Sequence, residues 1–351
     1  MNRCRPLYLL CALASLTASS HATAADHFPW NRYAKQPDSW FQSADAKRIA
    51  ANVLSHQSAL GSWPKNIDTG AKPFTGDPQD LRGTFDNDAT VGELRFLARM
   101  YGVNGGDNYL KAFQRGLAHI FEAQYPTGGW PQLYPPGPKY HRHITFNDDC
   151  MVNILELVRD VSRENGFRFV KSDDREKAAK AFDRGIACIL KCQIAVKGEL
   201  TAWCQQHDEK TLEPRGGRTF EPVAITGRES EAVVRLLMSL EKPSVEVIRA
   251  VNAACRWFER SKIAGLRMQR RAGDLIVVPD PAAPPIWARY YQIETNRPIF
   301  SGRDGIIKFD VSQIEPERRN GYAWYGYWPT HLLAKDYPAW RSRWPASTSE
   351  R

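Results

Sequence analysis

The chain has 351 residues, of which 42% are hydrophobic, and its formal net charge is +9. Such a chain can bury a large core, and none of its apolar segments is long enough to span a bilayer. A basic protein suits an acidic polymer, but no Lys/Arg block or motif points to nucleic acid. The same charge would also fit a role in solubility alone, so charge does not decide the partner.

The first 24 residues have the pattern of a secretory signal peptide. Arg3 and Arg5 precede an apolar run, and small residues at 22–24 provide a cleavage site. We therefore expect an exported protein, periplasmic or extracellular, that is a monomer and binds neither nucleic acid nor membrane. The expected regions are a signal peptide at 1–24 and a single domain at 25–351, with its core at about 40–340.

Apolar residues recur at helical spacing along most of the chain, whereas strand-like segments are few and late. Two short strands are predicted at Leu275–Pro279 and Gly305–Phe309. Residues 263–328 are otherwise irregular, aromatic and rich in arginine, which is typical of loops that line a cleft. The predicted helices are Ala44–Ala59, Thr90–Tyr101, Asn108–Ala123, Asp148–Arg163, Asp173–Ile194, Ser230–Leu240, Ser244–Arg260 and Pro329–Asp336.

A weak internal repeat runs through the first half of the chain. Trp63, Trp130 and Trp203 each follow a predicted helix and stand 67 and 73 residues apart, enough for a pair of helices and its loops. Repeated helix pairs with equivalent loops suggest a toroid that collects these loops on one rim. The alternative is that Gly-x-Trp is only a common way to end a helix.

Two clusters of carboxylates and amides stand directly before predicted helices. One contains Asp86, Asn87 and Asp88 and the other Asp148 and Asp149. Each alone would be a helix cap. Both follow the pattern Thr-Phe-x-x-Asp at matching points of the repeat, so together they could bring several oxygen ligands to one place. Hard oxygen ligands of this kind suit Ca²⁺.

Cationic side chains form the other group of candidates. Arg218 lies in the loop Gly-Gly-Arg-Thr-Phe-Glu-Pro, and Arg303, Arg318 and Arg319 lie in the late irregular segments. Arginine pairs bidentately with carboxylates, which favours an acidic sugar as the ligand. His143, in His-Arg-His, could instead ligate zinc, but the usual partner ligands are absent and contact with substrate is favoured.

Several segments closely resemble polysaccharide lyase family 10, whose members are pectate lyases. The resemblance runs in order over about residues 40–340 and implies an all-α fold, an (α/α)₃ toroid with a few short β-strands and long irregular loops around the cleft. It also implies Ca²⁺-assisted β-elimination of polygalacturonate, a (1→4)-α-D-galacturonan, to 4,5-unsaturated oligogalacturonates. The matching segments are GSWPKN (61–66), TFDNDAT (84–90), GGWPQLYP (128–135), ITFNDDCMVNIL (144–155), TAWCQQHD (201–208), GRTFEP…GRES (217–230) and RPIFSGRDG (297–305).

The resemblance assigns roles to the metal and base positions. Arg218 matches the arginine regarded as the catalytic base of the family, which implies activity that rises into the alkaline range. Asp86, Asn87 and Asp148 match positions near the bound Ca²⁺. The chain departs from the family pattern in carrying Asp88 and an extra carboxylate beside Asp148, so the neighbouring Asp149 remains an alternative ligand.

It also assigns the substrate contacts. Arg303 and Arg318 resemble the arginines that bind the substrate carboxylates, with Arg319 a close competitor for the second position. Lys65, in the motif Trp-Pro-Lys-Asn, stands where a further substrate contact is expected.

Two other functions are compatible with the residues. A glycoside hydrolase on the same toroid would use Asp86 and Asp148 as its acid and base. A non-catalytic binder of acidic glycans would keep its affinity for the polymer after the change Arg218→Ala and release no product.

Overall fold

The computed structural model describes residues 27–345, so the signal peptide predicted at 1–24 lies outside the described residues. No described helix is both long enough and apolar enough to cross a membrane. The α-helices of this part are α1 (Trp30–Tyr33), α2 (Asp38–Phe41), α3 (Ala44–Ser55), α4 (Val91–Asn104), α5 (Asp107–Ala123), α6 (Cys150–Ser162), α7 (Ser172–Cys192), α8 (Glu229–Met238), α9 (Val245–Arg260), α10 (Pro316–Asn320) and α11 (Tyr337–Arg343).

The long helices agree with the sequence prediction to within a few residues at each end. Ser43 caps α3 by accepting a hydrogen bond from the Ala46 amide at 3.1 Å, and Ser244 caps α9 in the same way. The last predicted helix, Pro329–Asp336, is observed as a short π-helix at Leu332–Asp336 that leads into α11. The short helices α1, α2 and α10 were not predicted, because four or five residues are too few to show a helical period.

The long helices pack as consecutive pairs, α4 with α5, α6 with α7 and α8 with α9. Among the first members of the pairs, α6 contacts both α4 and α8, and among the second members, α7 contacts both α5 and α9. The hydrophobic core is one cluster that includes residues of both rows, of the first three helices and of the late strands. It also holds five buried free cysteines, Cys150, Cys188, Cys192, Cys204 and Cys255.

The predicted all-α (α/α)₃ toroid is wrong. Thirteen short strands in five open sheets connect the loops, and no closed barrel is found in the described part of the chain. Most of these strands have two residues, too few to show an alternating pattern, and they form because loop backbones must find hydrogen-bond partners in one another. The strands are β1 (Ile144–Thr145), β2 (Ala195–Val196), β3 (Glu199–Leu200), β4 (Gln206–His207), β5 (Pro214–Arg215), β6 (Ile225–Thr226), β7 (Leu266–Arg271), β8 (Asp274–Pro279), β9 (Trp287–Ala288), β10 (Tyr290–Tyr291), β11 (Pro298–Ser301), β12 (Ile307–Lys308) and β13 (Tyr325–Gly326).

The strand pairing ties the loops of successive helix pairs together. The sheet order β1-β4-β5 joins the loop before α6 to the loops after α7. The order β12-β11-β10-β6 joins the loop before α8 to the late segments, and β7 and β8 form a separate hairpin. Loops far apart in sequence therefore meet on one side of the helices.

The internal repeat is confirmed at the level of individual hydrogen bonds. Trp63, Trp130 and Trp203 are fully buried, and each indole N–H donates to a carbonyl near the end of the preceding long helix. A fourth tryptophan, Trp287, does the same after α9, although no Gly-x-Trp marks it in the sequence. The acceptors are the carbonyls of Val53, Ile120, Ile189 and Phe258, at 2.7, 2.8, 2.8 and 2.9 Å.

A glutamine at the end of each of three helices joins one helix pair to the next. Gln193 Nε2 donates to the carbonyl of Thr201 in its own loop at 2.9 Å and to that of Ala250 in α9 at 3.0 Å. Gln57 and Gln124 make the equivalent pairs of bonds. These three side chains therefore hold neighbouring helix pairs in register.

We expect Gln193→Ala to lower the free energy of unfolding by about 2–3 kcal/mol, because it leaves two buried carbonyls without their donor. Urea unfolding measures the change, with the exposed Gln114→Ala as the matched control. Equal stability of the two variants would contradict this role of the glutamine.

One buried carboxylate lies at the start of α4. Glu93 is 1% exposed, and its Oε1 accepts a hydrogen bond from the Thr69 hydroxyl at 2.9 Å. Its Oε2 has no hydrogen-bond partner among residues 27–345. Burial raises the pKa of Glu93 from its ordinary 4.5 to about 7, against the lowering effect of these hydrogen bonds.

This pKa predicts a pH-dependent stability. Because the pKa of Glu93 is higher in the folded state, its contribution is fully present below about pH 4.5 and is lost as the pH rises through about 7. Glu93→Gln removes the charge, so at about pH 9 it should unfold with a free energy on the order of 3 kcal/mol above the wild type. The difference should nearly vanish at acidic pH. Unfolding curves in EDTA at both pH values test this, and a difference independent of pH would exclude Glu93 as the cause.

Candidate active site

The two acidic clusters form tight turns that begin at equivalent places in the repeat. The Thr84 amide donates to the Trp63 carbonyl at 2.9 Å, and the Thr145 amide donates to the Trp130 carbonyl at 3.1 Å. Neither following helix has a side-chain cap, so these carboxylates do not act as helix caps. The last two residues of each turn have left-handed backbones, a costly conformation for residues other than glycine that is often found at functional sites. They are Asn87, Asp88, Asp148 and Asp149, with φ of 54°, 60°, 49° and 60°.

Asp86 is the buried acid of the first turn. Its Oδ2 accepts a hydrogen bond from Gln132 Nε2 at 2.7 Å and forms an ion pair with Lys65. Its Oδ1 is buried and has no hydrogen-bond partner in the described part of the chain. A charged carboxylate with an unused oxygen fits a cation ligand.

Asp148 and Asn87 occupy the same step of the two turns. Asp148 Oδ2 accepts a hydrogen bond from Asn147 Nδ2 at 2.7 Å, and its Oδ1 lies 3.5 Å from Arg228 and 3.8 Å from Arg289. Asn87 donates to Asn66 Oδ1 at 3.2 Å, which leaves its own amide oxygen available. The two turns are in contact with each other.

Asp88 and Asp149, the extra acids of this chain, are crowded. Burial raises the pKa of Asp88, with a further rise from Asp148. Burial likewise raises the pKa of Asp149 to about 6, opposed by Arg228 and reinforced by Glu229. Carboxylates that resist ionisation next to one another gain most from a bound cation, so the two turns fit the donor set that Ca²⁺ requires.

Sequence reasoning missed two arginines at this place, Arg228 and Arg289. Arg289 is buried, forms an ion pair with Glu229 and donates to Asn147 Oδ1 at 3.2 Å. Burial lowers the pKa of Arg289, but Glu229 more than offsets this and the pKa is raised overall. These arginines compensate part of the negative charge of the second turn.

A signal for Arg289 was present in the repeat. The carbonyls of Gln132, Gln205 and Arg289 accept equivalent bonds from Phe85, Phe146 and Gly227, at 2.9, 2.9 and 2.8 Å. Each stands two residues after a repeat tryptophan. Extending the repeat to Trp287 would therefore have identified Arg289 from the sequence.

Arg218 lies on the other side of the site with its side chain 44% exposed, next to a nearly buried Glu221. The guanidinium Nη2 donates to Glu221 Oε1 at 2.5 Å, and the Arg218 amide donates to Oε2 at 2.8 Å. Burial lowers the pKa of Arg218, but the bond and charge of Glu221 outweigh it, so the pKa is raised overall. In this state Arg218 is a cation.

Three arginines surround the ring of Phe220. The guanidinium carbons of Arg318, Arg218 and Arg303 lie 4.4, 4.7 and 5.8 Å from the ring centroid. Arg303 is exposed and forms an ion pair with Glu317 at 3.0 Å. The structure thus brings together Arg218 and two of the predicted substrate arginines.

Arg319 is placed elsewhere. Its Nε donates to Asp274 Oδ1 at 2.9 Å, and its Nη1 donates to the carbonyls of Ser312 and Ile314 at 3.2 and 2.6 Å. Its Nη2 is also bound to Asp274. These bonds tie α10 to β8 and leave Arg319 facing away from Phe220.

His143 belongs to a cluster with Asp208 and Glu209. One ligand atom of each lies within 4.8 Å of the others, a spacing that a metal ion could bridge. However, Glu209 accepts hydrogen bonds from Arg142 and lies 3.2 Å from His143 Nδ1. The amides of Thr211 and Lys210 lower the pKa of Asp208 to about 2. The carboxylates of this cluster are thus already bound by groups of the protein, whereas Asp86 in the first turn keeps a buried Oδ1 without a partner among the described residues.

Hydrogen bonds connect the arginine side of the site to the acidic turns. Gln205 Nε2 donates to Asn147 in the second turn and to Glu221 Oε1 at 3.4 Å. The Tyr322 hydroxyl donates to Glu221 Oε1 at 2.9 Å, and the guanidinium of Arg289 lies 4.4 Å from the Tyr322 ring centroid. Arg218 and Asp148 therefore belong to one continuous polar site.

Residues 57–333 of the chain match the model of a family described as pectic acid lyase. The chain belongs to this family. A solved family 10 polysaccharide lyase from Cellvibrio cellulosa is 33% identical, with a TM-score of 0.78, and the match covers 86% of this chain and 96% of the other. A mutant of a family 10 polysaccharide lyase from the same organism, in complex with trigalacturonic acid, is 32% identical. That match has the same TM-score of 0.78 and covers 86% of this chain and 97% of the other.

The resemblance to polysaccharide lyase family 10 is therefore confirmed, and the chain is a polysaccharide lyase. No curated protein matches the sequence. The matched family and both solved structures are described as lyases, and a lyase cleaves its substrate by elimination rather than by hydrolysis. The roles of individual residues rest on the geometry described above.

Proposed function

We propose that this protein is a Ca²⁺-assisted pectate lyase that cleaves (1→4)-α-D-galacturonan by β-elimination and releases 4,5-unsaturated oligogalacturonates. The observation that carries the proposal is the cluster of Arg218, Arg303 and Arg318 around Phe220, joined by hydrogen bonds to an acidic site. Such a surface fits a polymer with a carboxylate on every sugar. The complex of the similar lyase with trigalacturonic acid supports the same substrate.

Arg218 is the proposed catalytic base. Its side chain is 44% exposed and paired with Glu221, and Arg303 and Arg318 lie against the same Phe220 ring. Arginine is a weak base candidate while it is paired with Glu221, and neighbouring cations favour its neutral form. We therefore expect activity to rise with pH into the alkaline range.

Arg303 and Arg318 are the proposed partners of the substrate carboxylates. Each presents a planar set of donors that matches a carboxylate, and stabilisation of the charge that develops there lowers the barrier to proton abstraction. Lys65 is bound to Asp86, so its proposed contact with substrate would be made from the edge of the acidic turns. His143 is a proposed peripheral contact, since its ring is held by Glu209.

Asp86, Asn87 and Asp148 are the residues that would hold Ca²⁺. A bound Ca²⁺ would neutralise a substrate carboxylate and acidify the adjacent hydrogen. The unused Oδ1 of Asp86 and the crowding of the acids in the two turns support this assignment. Arg228 and Arg289 lie beside the acids of the second turn and offset part of their negative charge.

The hydrolase alternative has less support. Asp86 is bound to both Lys65 and Gln132 through its Oδ2, so this oxygen is not available to a glycosidic bond. Hydrolysis also needs two free carboxyl groups on either side of the scissile bond. Asp148, the second candidate, faces Arg228 and Arg289.

We also propose that the enzyme is exported and acts as a monomer. A pectate polymer is too large to enter a cell intact, which agrees with the signal peptide predicted at 1–24. A soluble enzyme that acts on a free polymer has no need of nucleic acid or a membrane.

Mass spectrometry of the products tests the proposed reaction. After incubation with polygalacturonate, elimination gives oligomers that lack one water relative to the products of hydrolysis. We expect the unsaturated series. If only saturated oligomers are released, the protein is a hydrolase and the proposal is wrong. If the protein binds the polymer but does not cleave it, it is a glycan-binding protein.

The positions of Arg318 and Arg319 predict opposite phenotypes. Arg318→Ala should raise KM for polygalacturonate about tenfold, the effect of one lost charge-assisted hydrogen bond. Arg319→Ala should lower the free energy of unfolding, because the carbonyls of Ser312 and Ile314 lose their donor and Asp274 loses its partner, and should leave KM within about threefold. Initial rates and urea unfolding measure both variants. An equal rise in KM for the two would show that Arg319 also reaches the substrate.

A further inference from the structure

Glu221 makes more contacts with Arg218 than an ion pair requires. Its carboxylate accepts from the side chain of Arg218 at 2.5 Å and from the Arg218 amide at 2.8 Å. The Glu221 amide in turn donates to the Arg218 carbonyl at 2.7 Å, which closes the turn between the two residues. The backbone and the guanidinium of Arg218 are therefore both fixed by the same residue.

The carboxylate of Glu221 is held in place from behind. Glu221 is 4% exposed, and its Oε1 also accepts from the Tyr322 hydroxyl at 2.9 Å and from Gln205 at 3.4 Å. A side chain at position 217 would collide with it, since a Cβ on Gly217 would lie 2.5 Å from Glu221 Oε2. This explains why the loop carries a glycine immediately before Arg218.

The other charged groups around Arg218 are cations or weak acids. Arg303 and Arg318 lie against the Phe220 ring, the Tyr322 hydroxyl donates to Glu221, and the Tyr290 hydroxyl is bonded to that of Tyr322. Burial raises the pKa values of both tyrosines, so they stay neutral through the alkaline range.

Arg289 stacks on Tyr322 and is paired with Glu229. Among the residues that the structure describes, Glu221 is the carboxylate that contacts Arg218.

We propose that Glu221 is a positioning residue that aims Arg218 at the substrate and sets the pH range in which Arg218 acts. This inference rests on the proposed function, in which Arg218 is the base. The carboxylate stabilises the guanidinium, which raises the pKa of Arg218 and restricts the neutral, basic form to high pH. The same contacts fix the direction of the guanidinium, so that position and pH range are set by one side chain.

The test is the pH dependence of kcat/KM for Glu221→Gln on polygalacturonate with Ca²⁺. Glutamine keeps a hydrogen-bond acceptor but removes the charge, so the alkaline rise of kcat/KM should be displaced to lower pH by at least about one unit relative to the wild type. A profile that coincides with the wild type, or that bends at higher pH, overturns the proposal.

Two further variants separate positioning from charge. Glu221→Asp keeps the charge and withdraws the carboxylate, so kcat should fall about 10- to 100-fold while the pH profile stays in place. A wild-type kcat in Glu221→Asp overturns the positioning role, even if Glu221→Gln does not fold. Asp160→Asn, which breaks the half-buried pair with Arg95 at 2.8 Å, is the matched control and should leave both readouts unchanged.

The wild-type enzyme distinguishes this inference from the proposed function. If the wild type releases no unsaturated product, the proposed function fails and the role of Glu221 fails with it. If the wild type is an active lyase and Glu221→Gln keeps its pH profile, the inference about Glu221 fails alone.

Discussion

Arg218→Ala is expected to lower kcat for the release of unsaturated oligogalacturonates by at least about 1,000-fold, the range found when a general base is lost. The exposed guanidinium of Arg218 is paired with Glu221, whereas Arg303 and Arg318, the other two arginines around Phe220, are paired with Glu317. KM should change much less, because Arg303 and Arg318 remain to bind the carboxylates.

The measurement is the initial rate over a range of substrate concentrations at alkaline pH. Arg260→Ala is the matched control, since Arg260 forms a surface pair with Glu199 at 3.0 Å far from the acidic turns and should cost little. Arg218→Ala with kcat within about tenfold of the wild type would remove Arg218 from the role of base.

Asp86→Asn should produce the second large effect, a loss of Ca²⁺ affinity. The change keeps the shape of the side chain but removes the charge next to Lys65, and the unused Oδ1 loses most of its attraction for a cation. We expect the Ca²⁺ concentration for half-maximal activity to rise at least about 100-fold, more than the usual effect of an outer-shell change. Excess Ca²⁺ should restore part of the activity.

Thermal unfolding gives a readout of the same site that is independent of activity. Ca²⁺ at about 100 times its dissociation constant should stabilise the wild type by about 2.7 kcal/mol, and this gain should disappear in Asp86→Asn. Asp160→Asn, a carboxylate far from the turns, should retain the gain. If Asp86→Asn keeps the wild-type response to Ca²⁺, the ion is held elsewhere, and the His143 cluster becomes the next candidate.

The long helices could be predicted because a buried helix face repeats every three to four residues over ten or more positions. Two strands were also predicted, since Leu275–Pro279 corresponds to β8 and Gly305–Phe309 contains β12. Most of the other strands could not be predicted, because a strand such as β4 or β6 contains two residues and depends on a partner far along the chain. This is why the all-α toroid was wrong although the helix pairs were found. The repeat also had a fourth member, and Trp287 escaped notice because it stands 84 residues after Trp203 (287 minus 203), a longer interval than the 67 and 73 residues between the first three.

At the candidate site, residue type and position in the repeat predicted which residues belong to the site, but the sequence did not predict the direction in which each side chain points. Arg318 and Arg319 are adjacent in sequence, and only the helix α10 decides that one faces Phe220 and the other faces Asp274. Glu221 was read as part of the motif around Arg218, yet its bonds to the side chain and the amide of Arg218 depend on a turn that the sequence does not specify.

The most direct test of the account is the ultraviolet absorbance of de-esterified polygalacturonate during incubation with the enzyme at alkaline pH, first with Ca²⁺ and then with EDTA. We predict that the signal of the 4,5-unsaturated product grows with Ca²⁺, stops when EDTA is added and returns with excess Ca²⁺. New reducing ends without this signal, or a signal that EDTA does not affect, would contradict Ca²⁺-assisted elimination.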